Sequence, residues 1–235
     1  MNKKIHDKLI DQNWCDIVRK EQNYREFVGP SDEYDLNAGL QFSMLIHLGL
    51  REHHKLLDIG CGSLRGGRLY IPYLNSKNYF GIEPEKWLVD KGIENEVGHD
   101  NLSKKDPNFI YSTDFPCNKF GISFDYLLAQ GVFVHSPKNY VETCVKNASL
   151  CMLDTSLFIF TYFKGDTDHV GTDWLYPSTS QYKKETMSEI GSNNGLLFKN
   201  INWPHPRNAQ WAVFYRPKKS SFIDDFCYRS KSMFG

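Results

Sequence analysis

Asp58-Ile59-Gly60-Cys61-Gly62 joins one carboxylate and two glycines to the end of the apolar run Leu56-Leu57. An apolar run closing on an acid, then glycines, then a helix-compatible segment reads as a buried parallel strand turning sharply into a helix. Gly60 and Gly62 can take positive φ and bring the backbone close to a ligand, and a following helix offers unpaired N–H groups. Such a turn is a cradle for a nucleotide-like molecule. A second carboxylate, Glu83, ends the run Tyr79-Phe80-Gly81-Ile82. At that place a carboxylate can accept hydrogen bonds from both ribose hydroxyls.

Proton transfer and charge recognition have their own candidates. His135, His169 and His205 carry the side chain that titrates nearest neutral pH. His135 is favoured as a base because it follows a strand expected at Phe124–Ala129, and ligands of open α/β sheets sit beyond the carboxyl ends of strands; capping or packing is its structural alternative. Arg65, Lys164 and Arg207 could position an anion, arginine through its planar fork. The aromatics Phe133, Trp174, Tyr176 and Trp203 suit a sugar face, an apolar ring or a sulfonium, and equally a core. Asp166, Asp168, His169 and Asp173 follow no metal-ligand spacing, so no metal is expected.

The elements that must position these residues alternate. Ile5, Leu9, Trp14, Ile17 and Val18 fall near helical spacing before the break at Gly29-Pro30. A helix is expected over 36–50, a strand at 56–59, a helix over 68–74, a strand at 79–83 and a helix over 85–97, with Pro84 at its start. Strands follow at 109–112, 124–129 and 157–162, with a helix from Ser136-Pro137 to about residue 151. The loop from Lys164 to Pro177 is long enough to suggest an acceptor pocket or lid. A helix at 181–190 and strands at 196–203 and 210–215 complete the pattern; no element is assigned to 218–235.

The third glycine of a dinucleotide fingerprint, G-x-G-x-x-G, would fall at Arg65, where a bulky cation crowds a pyrophosphate. Asp58, Gly60 and Gly62 form D-x-G-x-G instead, which resembles motif I of the class I S-adenosylmethionine-dependent methyltransferases of small-molecule type. The further glycine of that motif is missing at Ser63-Leu64, and Gly66-Gly67 come later, so a longer loop is expected. The resemblance implies an α/β, Rossmann-like, seven-stranded, mostly parallel sheet with helices on both faces and an antiparallel last strand. It covers a cofactor-binding domain at 36–216; the helical spacing ahead of it reads as a helical cap at 1–35, and 217–235 is left as a tail.

It also implies roles. Asp58, Gly60, Cys61 and Gly62 would wrap the methionine end of S-adenosyl-L-methionine, with Glu83 and Pro84 at the ribose. Asp114 would meet the adenine amino group and Phe115 cover its ring; Gln130 and Gly131 would sit beside the methyl, and Gly39 and Gln41 on the preceding helix are further contact candidates. Residue chemistry and chain position, not the resemblance, offer His135 as the catalytic base and Arg65, His169, Trp174, Tyr176, His205 and Arg207 as acceptor contacts. The implied activity is methylation of a small-molecule acceptor, foremost on an oxygen of a sugar, glycan precursor, phosphorylated metabolite or natural product. The rivals are an NAD-dependent oxidoreductase, a non-catalytic S-adenosylmethionine-binding module and a nucleic-acid methyltransferase. Against the last stands the absence of a (D/N)-P-P-Y motif, and Gln130 lacks the carboxylate of magnesium-dependent catechol-type enzymes.

Composition narrows the setting. The 235 residues suit one domain with appendages, and 28 basic residues balance 28 acidic ones, so no nucleic-acid partner is expected. Six cysteines without a C-x-x-C pair suggest reduced thiols. The polar start and the lack of a long apolar stretch suggest a cytoplasmic protein without membrane association, for which a homodimer is a compatible assembly.

Overall fold

The computed structural model describes residues 14–234; Ile5 and Leu9, expected on a helix, lie outside the described residues. Eight strands form the sheet: β1 Leu56–Ile59, β2 Tyr79–Ile82, β3 Asn108–Ile110, β4 Phe124–Ala129, β5 Met152–Lys164, β6 Gln181–Tyr182, β7 Leu197–Ile201 and β8 Gln210–Tyr215. Their order is β3-β2-β1-β4-β5-β8-β7, with the short β6 pairing beside the end of β5. All neighbours from β3 to β5 are parallel, and β8 runs antiparallel to both β5 and β7. The last strand is therefore reversed, as the resemblance implied.

β1 is buried at every position, as a central parallel strand covered on both faces must be. Alternation along β5 divides the core: Phe158 and Phe160 pack into one layer, Leu157 and Ile159 into the other. The first layer is closed by α7, Lys138–Ser149, whose Val141, Cys144, Val145 and Ala148 recur at helical spacing, and by α8, Lys184–Ser192. The second is closed by α3, Tyr34–His47, α4, Gly67–Tyr73, and α9, Ser220–Phe234, which buries Ile223, Phe226 and Cys227. Residues 217–234, to which the sequence reading assigned no element, form a single turn and this helix. Their apolar positions recur at i, i+3 and i+4, but Asp224 and Asp225 between them mask the stripe.

Other boundaries moved for local reasons. Gln181 and Tyr182, read as the start of a helix, are strand: Tyr182 is fully buried and its hydroxyl donates to the Ser136 carbonyl at 2.6 Å. The helix expected over 85–97 is α5, Lys86–Gly92, followed by a π-turn over Ile93–Val97. α6, His99–Lys105, buries no residue and so gives no periodic apolar signal. Of the segment expected to be a helical cap, the described part holds α1, Trp14–Lys20, and α2, Tyr24–Phe27. It is docked by Glu96, whose side chain is only 3% exposed and meets Arg25 at 2.7 Å, Arg68 at 3.3 Å and the Tyr24 hydroxyl at 2.9 Å. All six cysteines are unpaired thiols. No helix among the described residues is long and apolar enough to cross a membrane.

Candidate active site

Residues 60–66 connect β1 to α4, longer than the tight turn of a dinucleotide fingerprint. Gly60 and Gly62 adopt φ of +69° and +53°. A Cβ on Gly60 would sit 2.5 Å from Val132, and one on Gly62 2.9 Å from Val28. Glycine is required at both, by conformation and by close approach.

This loop, the carboxyl ends of β2, β4 and β5, the cap and the loop before β6 surround a cavity of about 1010 Å³. That is the upper end of the roughly 300–1,000 Å³ of ordinary ligand sites, room for a cofactor and a second molecule. Asp58, Gly60, Cys61 and Gly62 line it, as do Glu83, Pro84 and Phe115, and Gln130 and Gly131. Arg65, His135, Trp174, Tyr176, His205 and Arg207 line it as well, Arg65 and His205 beside Gln130. Gln41 also reaches the cavity; Gly39 does not.

Other expected contacts lie elsewhere. β3 stops at Ile110, before the expected Ser112, and Phe115 turns inward at φ +49°, leaving Asp114 exposed while Ser112 and Thr113 line the cavity. His169 is outside as well: its backbone N–H donates to the Gln181 carbonyl at 2.8 Å, holding the loop along β6. Asp168 serves α8, accepting from the Lys183 N–H at 2.8 Å and the Thr186 hydroxyl at 2.6 Å. Among the described residues no three His, Cys, Asp or Glu side chains are placed to hold a metal ion. Lys164 is exposed and outside the cavity. Phe133 is core between Phe158 and Phe160, and buried Trp203 donates to the Leu40 carbonyl.

Glu83 is 7% exposed, and its two oxygens accept from Gly62 N–H at 2.9 Å and Glu85 N–H at 3.0 Å. Burial pushes its carboxyl up to about 7, against the pull of those two N–H groups. Asp58 is likewise raised by burial, to about 6, although the Tyr79 hydroxyl donates to it at 2.7 Å. Each Glu83 oxygen keeps a lone pair for a ligand hydroxyl.

His135 approaches the Ser178 carbonyl through Nδ1 at 2.7 Å, so Nδ1 carries the hydrogen and Nε2 keeps its lone pair. Burial lowers its pKa to about 4, and it is neutral at pH 7. Tyr176 packs edge-on against it at 4.8 Å. The backbone sets this wall: Leu175 N–H donates to His135 O and Ser180 N–H to Val134 O. Gly131, at φ +79°, donates its N–H to Thr161 Oγ1 at 2.8 Å. Ser178 and Thr161 were missed by sequence reading because no local pattern marks them; only strand pairing and the returning loop bring them to the site.

The cap forms the roof. Arg19 reaches Glu85 at 2.6 Å, Arg207 faces Glu33 at 3.3 Å, and the Tyr176 hydroxyl donates to the Phe27 carbonyl. Arg65 donates to Val28 O at 2.9 Å and to Gln130 Oε1.

No protein-family model matches the sequence, and no curated protein does. Solved structures do match. Magnesium protoporphyrin IX methyltransferase from Synechocystis PCC 6803, crystallised with bound SAH, is 13% identical over 91% of this chain and 100% of its own, with a TM-score of 0.60. Mitomycin 7-O-methyltransferase is 13% identical over 84% of this chain and 57% of its own, TM-score 0.59. A SAM-dependent methyltransferase from Aquifex aeolicus is 12% identical over 82% and 96%, TM-score 0.55. The chain has the class I methyltransferase fold. At these identities the likeness concerns backbone arrangement alone.

Proposed function

We propose that this chain is an S-adenosyl-L-methionine-dependent methyltransferase that methylates an oxygen of a small-molecule acceptor. One observation carries the reading: Glu83 at the end of β2, tied to Gly62 of the β1 loop, faces the same cavity as the lone pair of a neutral His135 beyond β4. The cavity residues fit the cofactor. Glu83 has acceptor capacity for two ribose hydroxyls, Phe115 and Leu88 offer apolar surface for a purine, and Ser112 and Thr113 supply polar edges where Asp114 does not. When bound, the cofactor supplies a methyl activated on a sulfonium, so alignment by the protein is the main requirement.

The chain's own residues do the rest. Gln130 and Gly131, fixed by Thr161, present the end of β4 to the acceptor. His135 takes a proton from an acceptor hydroxyl through Nε2, while the Ser178 carbonyl holds the ring and its tautomer. Trp174 and Tyr176 flank the acceptor, and residues of the N-terminal segment complete the lining of the cavity. The reversed β8 and the connection over residues 60–66 favour this reading over a dinucleotide-dependent oxidoreductase.

Calorimetry with S-adenosylhomocysteine, S-adenosylmethionine and NAD(H) tests it. Binding of the first two is expected; tight NAD(H) binding with none of either overturns the reading.

A further inference from the structure

The carboxyl end of β4 meets the β7–β8 turn with more hydrogen-bond donors than acceptors. Arg65 can only donate, so the amide oxygen of Gln130 faces it and the amide NH₂ faces away. That NH₂ lies 3.4 Å from His205 Nε2. The other ring nitrogen, Nδ1, faces the backbone N–H of Arg207 at 3.2 Å. A neutral imidazole has one acceptor nitrogen, yet here both nitrogens face N–H groups. Either tautomer leaves a donor turned on a donor. Burial and the nearby arginines hold the His205 pKa down to about 4, which keeps the ring neutral.

The charge is unbalanced in the same direction. Arg207 has Glu33 as its partner, but Arg65 forms no ion pair among the described residues; it donates to one carbonyl and one amide. Buried Asp58 acts on Arg65 only beyond ion-pair distance; a desolvated guanidinium with no carboxylate in contact, beside surplus N–H groups and open to a cavity, is complementary to an anion.

We propose that Arg65, the Gln130 amide and His205 form an oxyanion subsite holding a carboxylate or phosphate carried by the acceptor. The assignment to the acceptor rests on the methyltransferase reading above. β4 and β2 flank β1 on opposite sides, so the subsite lies away from Glu83, and its His205 wall comes from the far half of the sheet. The rival oxyanion is the carboxylate that the cofactor itself carries, and the test separates the two.

The experiment is calorimetric titration of inorganic phosphate into the full chain, with and without saturating S-adenosylhomocysteine. Phosphate is expected to bind in both states, with affinity reduced roughly tenfold or more in Arg65→Gln and less in Arg65→Lys. S-adenosylhomocysteine affinity is expected to stay within about twofold in Arg65→Gln. Melting curves establish that each variant is folded, and the charge-retaining lysine variant carries the comparison if the glutamine variant is not. Absence of phosphate binding, or equal binding to Arg65→Gln, overturns the subsite. Phosphate binding only without S-adenosylhomocysteine, together with a tenfold loss of that ligand's affinity in Arg65→Gln, assigns the oxyanion to the cofactor and overturns the acceptor assignment. Failure of the wild-type chain to bind S-adenosylhomocysteine, with phosphate binding intact, overturns the methyltransferase reading instead.

Discussion

The backbone N–H of Gly62 donates to Glu83 at 2.9 Å, tying the loop after β1 to the end of β2 across one edge of the cavity. The bond fixes the carboxylate facing the cavity while using one lone pair of one oxygen. Glu83→Ala is expected to weaken S-adenosylhomocysteine binding roughly tenfold or more, because two charge-assisted hydrogen bonds are lost together. Titration calorimetry reads this directly, and unchanged affinity would refute the ribose assignment.

Glu83 and Asp58 also set a pH dependence. Burial raises them from 4.5 to about 7 and from 3.8 to about 6. Because the folded values lie above the unfolded ones, their contribution to stability is complete below about pH 4 and is lost as pH rises through 6 to 7. The ligand-free chain should therefore melt progressively lower across that window, with a smaller decline in Glu83→Gln. Ligand hydroxyls favour the ionised carboxylate, so S-adenosylhomocysteine affinity should rise over the same interval.

His135→Ala is expected to lower turnover of a hydroxyl acceptor by about 10² to 10⁴-fold, with cofactor affinity retained. The depressed pKa places the acid limb of the kcat profile near pH 4, where His135 becomes protonated, and not near the ordinary histidine value. Undiminished turnover would assign the proton to another group or the reaction to an acceptor that is already ionised.

Glu96 couples the cap to the sheet. Glu96→Ala leaves Arg25 and Arg68 without their shared carboxylate and should cost roughly 1–3 kcal/mol, since both arginines are partly exposed. Hydrogen exchange should speed up in residues 14–33 ahead of the strands. S-adenosylhomocysteine should bind more weakly, because that segment roofs the cavity.

Gly60→Ala places a Cβ at 2.5 Å from buried Val132 and imposes a left-handed conformation on alanine. The backbone term alone is roughly 1–2 kcal/mol. The melting temperature should fall by several degrees, at about 2–4 °C per kcal/mol for a chain of this size.

The central strands were legible because both faces of a parallel strand must be apolar, which leaves continuous runs such as Leu56–Ile59 and Phe124–Ala129. α6 and α9 were not: the first buries nothing, and the second interrupts its stripe with Asp224 and Asp225. Asp114 and Phe115 show the same limit at the site. Both were assigned to one ligand from their order in the chain, yet a single positive φ at Phe115 sends one inward and leaves the other in solvent.

By itself the sequence determined the cradle, since glycines at 60 and 62 and acids at 58 and 83 act through local backbone freedom and strand ends. Only the tertiary structure decided how the other lining residues meet. Ser178 fixes His135 from 43 residues away, and Arg65, Gln130 and His205 meet from three separate connections. Hydrogen-bond surplus and uncompensated charge are properties of groups brought together in space, and no spacing along the chain encodes them.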